Sequence, residues 1–452
     1  MELFVGKGGV GKTTLACATA MAYARAGQRV LLASLDQAHS LGDALGVRIA
    51  HDPGTVPGVL TVRPGLDVIE VDSLALLEDR FREVLRMLSG GGHDHGIDIG
   101  ALDPAELTGL PGVQELLALL EIAQFADDED WDVVVVDCPP SADMLRIVTA
   151  PDTLLGYLER VWPAHTRTLT AIGADLRRAV LATTVERIAG AVSGVRDLLA
   201  DRERTGLRLV TAAERVAVAE SARVRSAAAL LGLRLDAILV NKVLPPMPPP
   251  GGAEPVPDGF ASPSAGAEPV RGGSEPPSAG AGSPGGPPHP AVQWYFNRRA
   301  EQLEVVAELR QRVSPTPVTV VGHAGAEPVG LSALSAMSFD VGASGGWVGS
   351  EPVPMLGSEV DGVPAVTGEP MVRLESGAGV RSVYAMRMHL PVVDPSTLRL
   401  GRVEDDLIVG ADGVRRRLRL APVLRRCTVS DAELDGEHLI VRFRPDPQVW
   451  PI

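Results

Sequence analysis

Residues 3–13 restrict the possible folds of this chain more than any other stretch. Leu3–Val5 is an apolar, strand-like run, Gly6-Lys7-Gly8-Gly9-Val10-Gly11-Lys12-Thr13 follows it, and a helix-period pattern then covers Lys12–Ala26. The G-x-x-x-x-G-K-T spacing between a strand and a helix is that of a phosphate loop. Its glycines let the backbone N–H groups turn inward around phosphate oxygens, and the helix N-terminus adds partial positive charge. Lys12 is expected to reach the β- and γ-phosphates, the Thr13 hydroxyl to ligate magnesium, and Thr14 to complete the cradle. The bland alternative, an accidental glycine turn, does not account for the strand and helix on either side.

The lysines sharpen this reading. Of the 42 lysines and arginines only Lys7, Lys12 and Lys242 are lysine. An arginine-biased chain should keep lysine where a compact, flexible point charge is needed and a planar guanidinium will not fit. Lys7 puts a second cation into the loop. Lys242 ends the run Ala237-Ile238-Leu239-Val240-Asn241-Lys242, and no role follows for it from the sequence.

Further continuous apolar runs at Val30–Ser34, Leu66–Val71, Val133–Asp137, Leu207–Val210, Ala237–Asn241 and Pro317–Val321 read as buried parallel strands. Helical patterns at Leu74–Leu88, Gly112–Phe125, Ala212–Leu231 and Trp294–Val313 alternate with them. The expected architecture is α/β: a doubly wound, mainly parallel sheet forming a phosphate-loop NTPase domain from residues 1–244 and 291–340. Residues 245–290, rich in Pro, Gly and Ser, read as a disordered linker, and 341–370 as a second linker. Residues 371–452 change to period-two patterning, with Leu439, Val441 and Phe443 on one face and turn signals at Asp412-Gly413 and Asp435-Gly436. They are expected to form a small C-terminal all-β sandwich.

Composition excludes several classes. A net charge of −15 argues against a nucleic-acid partner, which normally meets a basic face. No apolar run approaches the roughly 18–20 residues needed to span a bilayer, so no stable membrane insertion is expected. The chain opens directly into strand and loop without a signal peptide, which points to the cytoplasm. Cys17, Cys138 and Cys427 are too few and too scattered for a disulfide framework or a CxxC metal site.

Two carboxylates complete the candidate site. Asp137 ends the run Val133-Val134-Val135-Val136 at the strand edge where open α/β sheets bind ligands, and can hold magnesium through water. Asp36, in Leu35-Asp36-Gln37-Ala38-His39-Ser40, follows the second strand at that same edge and can orient or deprotonate an attacking water. A solvated loop carboxylate or helix cap is the alternative for each. His39 is read as structural.

The deviant loop with Lys7, the Asp36–Leu41 segment, Leu110-Pro111-Gly112-Val113, Asn241-Lys242 and Glu327-Pro328-Val329-Gly330 together resemble the ArsA-type ATPases over about residues 1–340. That family includes arsenite-pump ATPases and ATPases that guide tail-anchored membrane proteins. The resemblance implies an ATP-hydrolysing, magnesium-dependent homodimer, with Lys7 crossing to the partner's nucleotide. It makes Asp36 the water-activating residue of switch I and Asp137 the start of switch II. Asn241 would hydrogen-bond adenine, and residues 323–330, including Glu327 and Pro328, would form the adenine loop. It also implies a targeting or chaperone-like role toward a hydrophobic helix of a client protein. Apolar residues at helical spacing, such as Leu155, Leu158, Val161, Leu176, Val180 and Leu181, could supply the groove, or could be ordinary core.

The sequence departs from the family pattern in places. Gln37 stands where the family has proline, and Asp137-Cys138-Pro139-Pro140-Ser141 is similar instead to partition-type ParA ATPases. A ParA/MinD-like positioning ATPase is therefore the second reading. An arsenite- or anion-pump subunit is the third, and the interfacial CxxC zinc motif of eukaryotic relatives is missing. The C-terminal part is similar to the small-heat-shock-protein-like domain appended to many bacterial ArsA-like proteins, on Leu390-Pro391-Val392-Val393-Asp394-Pro395 and Asp435–Val441.

Overall fold

A computed structural model describes residues 1–38, 40–49, 58–80, 113–172, 176–247, 289–337 and 370–450. The chain enters strand β1 (Glu2–Gly6), helix α1 (Lys12–Arg25), β2 (Val30–Ser34) and α2 (Ser40–Leu45). It continues through β3 (Leu60–Arg63), β4 (Leu66–Glu70), a helix α3 described at 73–80, α4 (Val113–Asp127) and β5 (Val133–Asp137). Three helices follow: α5 (Ser141–Val161), α6 (Ala164–Ile172) and α7 (Leu176–Ala200). Then come β6 (Gly206–Ala212), α8 (Arg215–Leu231), β7 (Arg234–Val243), α9 (Pro290–Val313), β8 (Val318–Gly322) and α10 (Leu331–Ala336).

Eight strands form one sheet in the order β3-β4-β2-β5-β1-β6-β7-β8. Every neighbouring pair is parallel except β3–β4. Strands β1, β2 and β5 are buried along their whole length, because helices cover both faces, and this is why their sequences are continuously apolar. Side-chain alternation divides β1 between two cores. Leu3 and Val5 pack with α4, α8 and α9, whereas Phe4 packs with Leu15, Met21 and Tyr23 of α1. The second core also holds a buried ion pair. Arg208 Nη2 donates to Glu2 Oε1 at 2.9 Å, and the Tyr23 hydroxyl donates to that same oxygen at 2.6 Å. With β1 central, β5 and β2 on one side and β6 and β7 on the other, the loop after β1 lies where the strand order reverses, the usual ligand crevice of such sheets.

Two features were not read from the sequence. The antiparallel edge strand β3 was not anticipated, since its residues are exposed or half-exposed and carry no buried-strand pattern. Helix α5 runs through Pro151, a residue that usually ends or kinks a helix. The two Pro/Gly-rich linkers fall almost wholly outside the described residues, as do His39 and Leu110–Gly112.

The C-terminal part is all-β, as expected. Strands β9 (Met371–Ser376), β10 (Val383–His389), β14 (Cys427–Asp435) and β15 (His438–Pro445) form a four-stranded sheet. Strands β11 (Arg399–Val403), β12 (Asp406–Ala411) and β13 (Val414–Arg419) form a three-stranded one. Leu439, Val441 and Phe443 are buried with Met386, Leu407 and Val409 between them. The β12–β13 turn has φ of 48° at Asp412 and 81° at Gly413, the left-handed pair that a tight hairpin requires. This sandwich docks on the C-terminal end of α8. Ala229 and Leu230 join its core, Arg416 Nη1 donates to Leu230 O at 2.5 Å, and Ser226 bonds Asp412.

Candidate functional site

The loop between β1 and α1 is shaped by close backbone approaches. A Cβ on Gly6 would lie 2.1 Å from Val210 O of β6, and one on Gly11 would lie 2.3 Å from Asn241 Nδ2. At Gly6 the obstacle is backbone, so glycine is a steric requirement there; at Gly11 a side chain would have to displace the Asn241 amide and adopt a left-handed φ of 94°. Lys12 is buried, and its Nζ reaches back to Lys7 O at 3.4 Å. The loop opens onto a cavity of about 850 Å³ whose walls include Gly8, Lys12, Thr13, Asp36 and Asn241, with residues 322–329 across from them.

Thr13 stands at the centre of the polar contacts. Its hydroxyl donates to Asp137 Oδ2 at 2.7 Å and lies 3.4 Å from Ser40 Oγ. Asp137 Oδ1 is buried with no hydrogen-bond partner among the described residues. Burial pushes the Asp137 carboxyl up to about 7; Asp36 adds to the effect, while the Thr13 hydrogen bond and the Lys12 charge oppose it. An orphaned, buried carboxylate oxygen beside two hydroxyls is a set of hard oxygen donors, which fits magnesium rather than a soft metal.

The other expected residues fall around the same cavity. Asp36 lines it, and its Oδ1 accepts from Ala38 N at 3.1 Å. Gln37, where the family pattern has proline, donates from Nε2 to Ser73 Oγ at 3.3 Å. Glu327 and Pro328 line the wall opposite the loop, and Gly330 N, at the end of their segment, donates to Ala44 O at 2.9 Å. Asn241 is largely committed to the loop, its Nδ2 donating to Val10 O at 2.9 Å and its Oδ1 accepting from Lys242 N at 2.8 Å. One N–H and one lone pair remain on that amide. Lys7 is the exception, because it points away. Its Nζ pairs with Glu220 Oε2 of α8 at 3.0 Å, with both side chains about half exposed.

Sequence reasoning missed Ser40 and Glu220, and left Lys242 without a role. Ser40 stands in the quoted segment after Asp36, so its proximity to Thr13 could have been suspected. Nothing local marks Glu220. Cys17, Cys138 and Cys427 are all buried and unbridged, and burial pushes the Cys17 and Cys138 thiols up. Among the described residues no group of three or more His, Cys, Asp and Glu side chains is gathered as a metal cluster, so a magnesium site here would rest on the single Asp137 carboxylate and hydroxyl oxygens.

A family model described as an anion-transporting ATPase, ArsA ATPase, matches residues 1–249, more than half of the chain. The chain belongs to the ArsA-type ATPase family. A second model, described as an HSP20-like domain found in ArsA, matches residues 381–443. Protein Rv2184c of Mycobacterium tuberculosis is 41% identical over 465 residues, covering 100% of this chain and 97% of its own length. ATPase GET3B of Arabidopsis thaliana is 28% identical over 263 residues, covering 53% of this chain and 63% of its own. A protein of Aquifex aeolicus named as an arsenical pump-driving ATPase is 29% identical over 255 residues, covering 54% and 63%. This ArsA-type chain is an ATPase.

Proposed function

We propose that this ArsA-type ATPase is a magnesium-dependent homodimeric switch that acts on a hydrophobic client in a targeting or chaperone-like role. The observation that carries the reading is the division of the loop lysines, with Lys12 buried at the cavity and Lys7 outside it on Glu220. A solvent-facing lysine held by one exposed carboxylate is free to exchange that partner for a phosphate across an interface, since such pairs are weak.

Within one site, Lys12 and the loop N–H groups hold the phosphates. Thr13 directly, and Asp137 through water, would hold magnesium, which when bound supplies charge neutralisation on the transferred phosphoryl group. Asp36 positions the attacking water once its carboxylate leaves Ala38 N. The spare N–H and lone pair of Asn241 match the N6/N7 edge of adenine, the pairing asparagine makes with that base. Glu327 and Pro328 close over the base from the opposite wall.

The client surface is formed by α5, α6 and α7. Tyr157, Val161, Leu169, Ile172, Leu181 and Ile188 are between 48% and 79% exposed, far more than ordinary core packing leaves. The side chains of Leu176 and Val180 lie outside the described set. Apolar exposure on three successive helices suits an amphipathic or apolar helix. The buried cysteines favour such a client over a metalloid. The same reading puts the protein in the cytoplasm, where ATP is supplied; among the described residues no helix is long and apolar enough to cross a membrane.

The test is co-purification with an Asp36→Asn variant, which should trap the ATP-bound dimer and its client. Recovery of apolar-helix proteins that is lost when Leu169 and Ile172 become serine supports the reading. Arsenite-stimulated turnover that disappears on mutating the cysteines would overturn it in favour of a pump subunit.

A further inference from the structure

A phosphate loop works only if its N–H groups face inward, so its carbonyls must face outward and find partners elsewhere. In this chain two mid-loop carbonyls find them on adjacent residues of β7. Val10 O accepts from Asn241 Nδ2 at 2.9 Å, and Gly9 O accepts from Lys242 Nζ at 2.9 Å. Neighbouring side chains in a regular strand point to opposite faces and could not both reach the loop.

The strand is irregular at this point. Val240 pairs with Val320 of β8 but Val243 pairs with Gly322, so β7 carries one extra residue. Lys242 takes a left-handed φ of 60°. A bulge of this kind re-aims side chains, and is common beside active sites. Its backbone is satisfied by the buried Gln302 of α9, which accepts from Leu244 N at 2.9 Å and donates to Lys242 O at 3.2 Å. Glycine or asparagine would adopt this φ with less strain. A lysine here accepts the strain and delivers an ammonium to Gly9.

We propose that Lys242 is a positioning residue of the ATPase: re-aimed by the β7 bulge, its ammonium holds the Gly9 carbonyl outward and so presets the loop N–H groups for the β-phosphate. The proposal rests on the ATP reading of the cavity, and the test separates the two. In Lys242→Gly the backbone is relaxed and the ammonium is gone. ADP affinity should fall and the KM for ATP should rise by about tenfold, the order for losing one charge-assisted hydrogen bond. The kcat should change by less than about threefold, because the contact is made equally in ground and transition states. AMP, which lacks the β-phosphate, should compete with a fluorescent nucleotide as well as it does against wild type. Lys242→Asn, which also tolerates this φ, serves as a second variant should the glycine variant fail to fold. Wild-type ADP affinity in a folded variant, or an equal loss for AMP, overturns the proposal. A wild-type protein that binds no adenine nucleotide overturns the ATP reading instead.

Discussion

The Thr13 hydroxyl donates to one oxygen of Asp137 at 2.7 Å, while the other oxygen of that carboxylate is buried with no partner among the described residues. The strand that delivers Asp137 is covered on both faces, so its carboxylate is buried. Burying that carboxylate carries a desolvation cost.

That cost is readable against pH. The Asp137 carboxyl is raised from 3.8 to about 7 in the folded chain. Between these values the folded protein keeps a proton that the unfolded chain has lost, so stability falls as pH rises through this window. Asp137→Asn should abolish the fall and raise ligand-free stability at pH 8 by roughly 2–4 kcal/mol, given about 1.4 kcal/mol per pKa unit. It should also remove magnesium-dependent ATP hydrolysis. Thermal unfolding from pH 4 to 8 decides: parallel curves for variant and wild type would sink the account.

Lys12→Arg keeps the charge but replaces a buried point ammonium with a planar fork. Lys12 is only 6% exposed, so the larger head cannot relax into solvent. ATP turnover should fall by about a hundredfold or more, as for other lost charge-stabilising groups. A steady-state assay returning near-normal rates would reject Lys12 as the phosphate lysine.

Lys7 and Glu220 form a half-exposed pair worth no more than about 1 kcal/mol. Glu220→Gln should leave the unfolding midpoint almost unchanged and strengthen ATP-dependent self-association by releasing Lys7. Lys7→Ala should weaken that association. Light scattering with and without ATP measures both, and the same behaviour in the two variants would rule out competition for Lys7.

The contact between the ATPase unit and the sandwich should respond to acid. Arg202 Nη1 lies 2.9 Å from His389 Nδ1, and arginine can only donate, so Nδ1 must be the unprotonated acceptor. Nε2 then donates to Glu437 Oε2 at 3.1 Å. Burial lowers the His389 pKa from its ordinary 6.5; Glu437 opposes this, while Arg202 and His438 add to it. Arg234 and Asp236 flank Arg202. Because the folded value is depressed, the contact is intact above 6.5 and is lost as pH falls through the folded value. Protection factors along β10, corrected for the pH dependence of intrinsic exchange, should fall as the solution is acidified below pH 6.5, and this fall should disappear in His389→Gln. An unchanged fall in that variant would exclude His389 as the cause.

Local chemistry was legible from the sequence. The loop, the strands ending at Ser34 and Asp137, and the turn at Asp412-Gly413 are set by residue types within a few positions of one another. Edge strand β3 was not legible, because Leu60–Arg63 is largely exposed and carries no burial pattern. Nor was the continuity of α5 across Pro151, since packing on neighbouring helices outweighs the lost hydrogen bond.

The sequence by itself determined an ATP-binding loop on a parallel α/β sheet, with a β-sandwich after it. The tertiary structure decided what each polar group in and around that loop touches. Lys7 reaches Glu220 more than two hundred positions away, Lys242 reaches Gly9, and Asp137 is buried against Thr13. The physical reason is range. Backbone conformation and periodicity act over a few residues, whereas the partner of a side chain and its access to solvent depend on which distant strands and helices pack beside it.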